Sequence, residues 1–166
     1  SLIATKASRC VHAAAGRPVV DFALRRSHGS DAGMKVARAS YLAGFAGTSN
    51  VMAGKNYGVP IVGTMAHSFI MTFEREIDAF RAFARLFPTH TTLLIDTYDT
   101  AAAARKAVVV AKEMEAQGQR LAAVRLDSGD IVALSKQVRQ ILDGAGLEYV
   151  KIFVSGGLDE DSMDAY

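Results

Sequence analysis

Chemically capable side chains occur in five clusters along this chain. They are Arg25-Arg26, Gly63-Thr64-Met65-Ala66-His67, Asp96-Thr97-Tyr98-Asp99, Arg125-Leu126-Asp127-Ser128-Gly129-Asp130 and Ser155-Gly156-Gly157. Arg25, Arg26 and Arg125 offer fixed, forked guanidinium groups that suit a ligand carrying several phosphates or carboxylates. Asp96 and Asp127 suit sugar hydroxyls, or a Mg²⁺ ion held by a diphosphate. Ser155, Gly156 and Gly157 present backbone N–H groups at a turn, where a phosphate can be cradled. Together they predict a phosphorylated sugar, with a diphosphate, as ligand. His67 could serve as base, metal ligand or nucleophile; the alternative is an imidazole satisfied by a backbone carbonyl. No second His or Cys stands at ligand spacing from it, so no metal site is assigned. His12, His28 and His90 read as structural or surface residues.

Each cluster directly follows a short apolar run. Pro18 to Phe22, Val59 to Val62, Thr92 to Ile95, Leu121 to Leu126 and Val150 to Val154 are rich in Val, Ile or Leu without polar alternation. That pattern predicts strands covered on both faces, as in parallel sheets. Amphipathic helical stretches lie between them. Ile77, Phe80, Ala84 and Phe87 share a face over Thr72 to Phe87, with Thr72 as N-cap. Ala107, Val110, Ala111 and Met114 share another, opened by Asp99 or Thr100 and closed at Gly118. Ile131, Leu134, Val138, Ile141 and Leu142 form the third, closed at Gly144 or Gly146. The last three runs start at 92, 121 and 150, the spacing of one strand-helix unit with short loops. This rhythm predicts an α/β fold with parallel strands, as a barrel or an open doubly wound sheet. In both, the C-terminal strand ends converge on one mouth, where the ligand binds.

Several residues have a second reading. Arg25-Arg26 could be a solvated pair, Asp99 and Asp130 helix caps, and Asp127 a cap closer to its strand. Gly44-Phe45-Ala46-Gly47-Thr48-Ser49-Asn50 reads as a turn followed by a helix capped at Thr48 or Ser49. Phe22 is core, or a ring presented to a flat heterocycle. Cys10 reads as a small buried hydrophobe.

Composition narrows the class. Half of the 166 residues are hydrophobic and 22% are charged, with a net charge of +2 and no basic run. This fits a packed globule and argues against a nucleic-acid partner. No apolar stretch approaches a membrane span. A single cysteine and no leader-like opening predict a cytoplasmic protein. Opening at Ser1 without Met, and ending inside the helix-like run Asp159 to Ala165, the chain reads as part of a longer protein.

The motifs resemble those of the ATP-using nicotinate phosphoribosyltransferases. The resemblance runs through Leu24-Arg25-Arg26 with His28-Gly29, Gly47-Thr48-Ser49-Asn50-Val51 and Val62-Gly63-Thr64-Met65-Ala66-His67-Ser68-Phe69. It continues through Leu94-Ile95-Asp96-Thr97-Tyr98-Asp99-Thr100, Val124-Arg125-Leu126-Asp127-Ser128-Gly129-Asp130 and Ser155-Gly156-Gly157-Leu158-Asp159-Glu160. It implies that residues 1–166 are one segment of the catalytic domain, an incomplete (β/α) barrel with the active site at the strand C-terminal ends. An N-terminal domain and later barrel elements would lie outside it. It further implies a homodimer that joins nicotinate to phosphoribosyl diphosphate, with ATP and Mg²⁺, giving nicotinate mononucleotide and diphosphate on the way to NAD. In that scheme His67 is transiently phosphorylated, while Arg25, Arg26, Arg125 and Asp127 surround the sugar and its phosphates.

Base choice is implied at Ser49. Related nicotinamide-using enzymes carry an acidic residue there, which would repel the nicotinate carboxylate, whereas Ser49 can donate to it. Phe22 becomes the ring stacker. One departure is Ala23, where the family usually has Gly; a positive φ there would strain the loop carrying Arg25. The alternatives are a nicotinamide or quinolinate phosphoribosyltransferase and a non-catalytic phosphosugar-binding paralogue.

Overall fold

The structure, a computed structural model, describes residues 1–163. They form two compact units, one of residues 1–63 with 158–163 and the other of residues 64–157.

The second unit is built on three parallel strands, β3 (Thr92–Leu94), β4 (Ala123–Leu126) and β5 (Lys151–Val154), in the order β3-β4-β5. Their register sets Leu94 beside Arg125 and Arg125 beside Phe153. Helices α6 (Thr100–Glu115) and α7 (Ile131–Asp143) connect them, and α4 (His67–Met71) and α5 (Glu76–Leu86) precede them. The apolar runs are the centre of the unit: Leu93, Leu94, Ile95, Val124 and Leu126 are fully buried, with Phe80, Ala107, Val110, Val138 and Leu142 of the helices packed into the same core. Burying these side chains is the main force holding the layers together. Asp99 caps α6 by accepting the Ala102 N–H at 2.6 Å, and Asp130 caps α7 by accepting that of Ala133 at 3.0 Å.

The first unit has much shorter strands. β1 (Val20–Asp21) pairs in parallel with β2 (Gly47–Thr48), and Thr48 in turn makes a single parallel bridge to Ile61. Helices α1 (Leu2–Ala13), α2 (Ser30–Leu42) and α3 (Val51–Tyr57) complete it, with a 3₁₀ turn at Leu24–Arg26. Glu160 is buried against α1, paired with Lys6 and, at 2.9 Å, with Arg9.

The fold is thus α/β with parallel strands in two small sheets, and several local expectations are corrected. Gly47–Thr48 is a strand rather than the turn and helix cap expected there, because Thr48 turns its hydroxyl to the buried Asp21. The cap of α3 is Asn50, which accepts the Ala53 N–H at 3.1 Å. Thr72 ends α4 instead of opening α5: its hydroxyl donates back to Phe69 O at 2.7 Å, and α5 starts at Glu76. The run Val59 to Val62 contributes one bridge, not a strand. Of the helix expected over Asp159 to Ala165, Asp159 and Ser162 exchange capping hydrogen bonds and Met163 N–H reaches Asp159 O; the remainder lies outside the described residues. No helix among them is long and apolar enough to cross a membrane.

Candidate active site

The strand register itself assembles a cluster. Side chains alternate along a strand, so the residue two beyond each aligned position faces the same way. Leu94, Arg125 and Phe153 are neighbours, and two residues on stand Asp96, Asp127 and Ser155 at the C-terminal edge of the three strands. Arg125 and Asp127, both on β4 or just past it, share a face. The guanidinium meets Asp127 Oδ1 through Nη2 at 2.8 Å and donates through Nε to Ser155 Oγ at 2.8 Å. Through Nη1 it donates to Thr64 Oγ1, also at 2.8 Å. Ser155 closes the ring by donating its hydroxyl to Asp127 Oδ1 at 2.5 Å.

Glycine is required at position 156. Its φ is +97°, and a β-carbon there would lie 2.2 Å from the backbone oxygen of Asp127. The bare backbone lets the Ser155 turn close against the Asp127 turn.

Asp96 holds the cluster from the other side. Its Oδ2 accepts the Asp127 N–H at 2.9 Å and the Ser128 hydroxyl at 2.6 Å. Its Oδ1 is buried without a hydrogen-bond partner, 3.9 Å from His67 Nε2. The same Nε2 lies 3.6 Å from Asp127 Oδ2, while Nδ1 is 3.1 Å from Thr97 Oγ1. The ring of His67, 39% exposed, therefore stands at the open side of a largely buried carboxylate pair.

Burial alone would raise the Asp127 carboxyl; the Ser155 hydroxyl, the Arg125 guanidinium and nearby His67 outweigh it and hold the group below the usual carboxylate range. Arg125 is correspondingly committed. Its charge is set against Asp127, and its N–H groups reach neutral hydroxyls, so it positions the cluster as well as charging it.

The first unit holds Phe22, Arg25, Arg26 and Ser49. Arg25 and Arg26 are exposed on the 3₁₀ turn, and Ser49 and Phe22 are half-buried. Ala23 has φ −83°, so alanine costs the Arg25 turn no backbone strain. Thus His67, Asp96, Arg125, Asp127, Ser155, Gly156 and Gly157 belong to one unit, and Phe22, Arg25, Arg26 and Ser49 to the other. Asp99 and Asp130 are helix caps. His12, His28 and His90 are exposed and Cys10 is buried.

Sequence reasoning gave Thr64 and Thr97 no role of their own within their clusters, read Thr48 as a possible helix cap, and left Asp21 unremarked. The signal available is position: Thr97 stands next to Asp96 just past β3, and Thr64 three residues before His67. Asp21 was hidden inside an apolar run.

Among described residues no three His, Cys, Asp or Glu side chains form a group able to hold a metal alone. The donor set nonetheless fits a Mg²⁺ that arrives with a diphosphate. Asp96 Oδ1 and Asp127 Oδ2 are hard oxygen donors, and the former is a buried orphan.

Comparison with known proteins agrees with these motifs. The chain is 57% identical over 167 residues to the nicotinate phosphoribosyltransferase pncB2 of Mycobacterium tuberculosis, covering 99% of this chain and 35% of that protein. It is 41% identical to the Bacillus subtilis nicotinate phosphoribosyltransferase, covering 98% of this chain and 33% of that protein. The crystal structure of human nicotinic acid phosphoribosyltransferase superposes with a TM-score of 0.88 at 30% identity, over all of this chain and 45% of that one. The chain spans about a third of the length of the curated relatives it matches. The family model described as the nicotinate phosphoribosyltransferase (NAPRTase) family matches residues 18–166. With nearly the whole chain inside that match, and a relative 57% identical across 99% of it, this chain belongs to the nicotinate phosphoribosyltransferase family.

Proposed function

We infer that the protein containing this chain is a nicotinate phosphoribosyltransferase. It joins nicotinate to phosphoribosyl diphosphate, with ATP hydrolysis, to give nicotinate mononucleotide and diphosphate. The chain contributes part of an incomplete (β/α) barrel with the active site at the strand C-terminal ends, in a homodimeric cytoplasmic enzyme. The observation that carries this reading is the His67–Asp96–Arg125–Asp127–Ser155 cluster at the ends of three adjacent parallel strands.

The chemistry asks for such a cluster. As diphosphate leaves the anomeric carbon, positive charge builds on the sugar and negative charge on the departing group. Asp127, kept ionised by Arg125 and Ser155, faces the first. Arg125, with Gly156 and Gly157 backbone groups, serves the second. Bound Mg²⁺ would supply further charge stabilisation to the diphosphate, held by Asp96 and Asp127. His67 accepts the γ-phosphoryl group of ATP with release of ADP; the phosphate there adds charge and acceptor oxygens beside the site until water cleaves the P–N bond and releases inorganic phosphate. In the other unit, Ser49 donates to the nicotinate carboxylate, Phe22 stacks on its ring, and Arg25 and Arg26 meet phosphate.

The test is mononucleotide formation by the natural-length protein given phosphoribosyl diphosphate, Mg²⁺ and ATP, with nicotinate, nicotinamide and quinolinate in separate reactions. Product from nicotinate alone is expected. Product from nicotinamide alone would retain the family chemistry and remove the role of Ser49. Bound phosphoribosyl diphosphate without any product would favour a non-catalytic paralogue. In His67→Ala, ATP stimulation should vanish while slow ATP-independent turnover persists; stimulation surviving in that variant would exclude His67 as the acceptor.

A further inference from the structure

A second buried carboxylate has no place in the chemistry above. Asp21 is only 4% exposed, in the middle of the run that forms β1. Burying a polar side chain is costly unless its hydrogen bonds are made, so the partners tell what it is for. Oδ1 accepts the N–H of Ala23 at 2.8 Å, pinning the chain where it turns into the 3₁₀ segment that carries Arg25 and Arg26. Oδ2 accepts the hydroxyl of Thr48, which is fully buried, at 2.7 Å. The Thr48 oxygen in turn accepts the Asn50 N–H at 3.0 Å, and Asp21 O accepts the Ser49 N–H at 2.8 Å.

One side chain and its threonine partner therefore fix both turns at once. Phe22 and Ala23 follow Asp21 directly, and Ser49 lies between the two residues that Thr48 ties together. An apolar pair would fill the same space but leave the Ala23 and Asn50 N–H groups without their side-chain acceptors. A carboxyl here makes the relative placement of the Phe22 and Ser49 turns depend on directional bonds, each with one correct geometry.

We propose that the Asp21–Thr48 pair is a positioning element for base recognition, setting Ser49 against Phe22 without touching the base. This rests on the reading of Ser49 and Phe22 as the nicotinate contacts. It predicts a selective defect, because a displaced Ser49 weakens the base while leaving the His67 and Asp127 cluster as it was.

The experiment compares Thr48→Val, which keeps volume and removes the hydroxyl, with Thr48→Ser, which keeps the hydroxyl, in the natural-length enzyme. Thr48→Val should raise KM for nicotinate about tenfold or more, with kcat and KM for phosphoribosyl diphosphate changed by less than about twofold. Thr48→Ser should restore the nicotinate KM to within about twofold of the parent. Asp21→Asn, which cannot accept the Thr48 hydroxyl at the replaced oxygen, should shift the same constant in the same direction and decides the matter if Thr48→Val does not fold. An unchanged nicotinate KM, or an equal loss for both substrates that Ser does not rescue, overturns the positioning role while the family reaction stands. Absence of product in the parent enzyme from any base overturns the underlying reading as well.

Discussion

Asp127 shows how much of the candidate site is made by neighbours. Left to burial its carboxyl would titrate higher; Ser155 and Arg125 pull it below the ordinary value of 3.8. A carboxyl lowered on folding stabilises the folded state above its unfolded pKa and loses that contribution as pH falls through the folded value. Ser155→Ala removes the 2.5 Å bond to Asp127. We expect a loss of about 1–2 kcal/mol in urea denaturation at neutral pH, the worth of a hydrogen bond to a charged group. Below about pH 4 the unfolded carboxyl takes up its proton and the folded one follows at its lower value, so the difference should shrink as pH falls through that window. A difference that stays constant through that window would show that Ser155 acts through Arg125 alone. Gly156→Ala is the harsher change, since its β-carbon would meet the Asp127 carbonyl and alanine would sit at φ +97°. It should cost at least about 1–3 kcal/mol and most of the activity, read by the same denaturation and by product formation.

At the scale of elements, neighbouring residues divide between capping helices and building the cluster at the strand ends. Asp99 and Asp96 lie three residues apart after β3, yet one caps the start of a helix and the other ties down the Asp127 turn. Asp99→Ala should therefore lower stability by about 1 kcal/mol and leave kcat/KM for nicotinate within about twofold. A large kcat loss without a stability change would move Asp99 into the site. This division was only partly legible in the chain. Long apolar runs with caps, as at Leu121 to Leu126 followed by Asp130, disclosed β4 and α7, because burial and capping are local properties of residue type. Gly47–Thr48 was not disclosed, because a two-residue strand has no periodicity and what makes it a strand is Asp21, 27 positions away. Thr72 misled for the same reason in reverse. A threonine before an apolar helix is a good N-cap, but here its hydroxyl turned back to close the short helix before it. That His67, Asp96, Arg125, Asp127 and Ser155 are candidates was legible, since chemical capability follows residue type; the contacts of Thr64 with Arg125 and of Thr97 with His67 were not, since such a hydroxyl looks like any other threonine.

Across the whole molecule, the two units are built to very different depths. The unit of residues 64–157 buries Ile70, Phe80, Leu93, Leu94, Ile95, Val124, Leu126, Val138 and Leu142 in one continuous core. The other unit gathers Met34, Ala37 and Ala53 in its cluster, hangs on two-residue strands, and exposes Val51 and Met52 of α3 and Ile61. Backbone hydrogen bonds over a deep apolar core open only with that core, whereas those over a shallow one open locally. Hydrogen exchange on this chain should therefore separate the two. The amides of Ile95, Lys151 and Ser155, bonded to Arg125 O, Ala122 O and Leu126 O, should exchange slowest. Those of Thr48, Ser49 and Val62, bonded to Pro60 O, Asp21 O and Thr48 O, should exchange faster on the order of a hundredfold. The Ser49 turn would then be the more mobile part of its own unit and the Asp127 turn a rigid part of the other. Equal protection in both sets would mean that the Asp21–Thr48 bonds supply by direction what the shallow core does not supply by area.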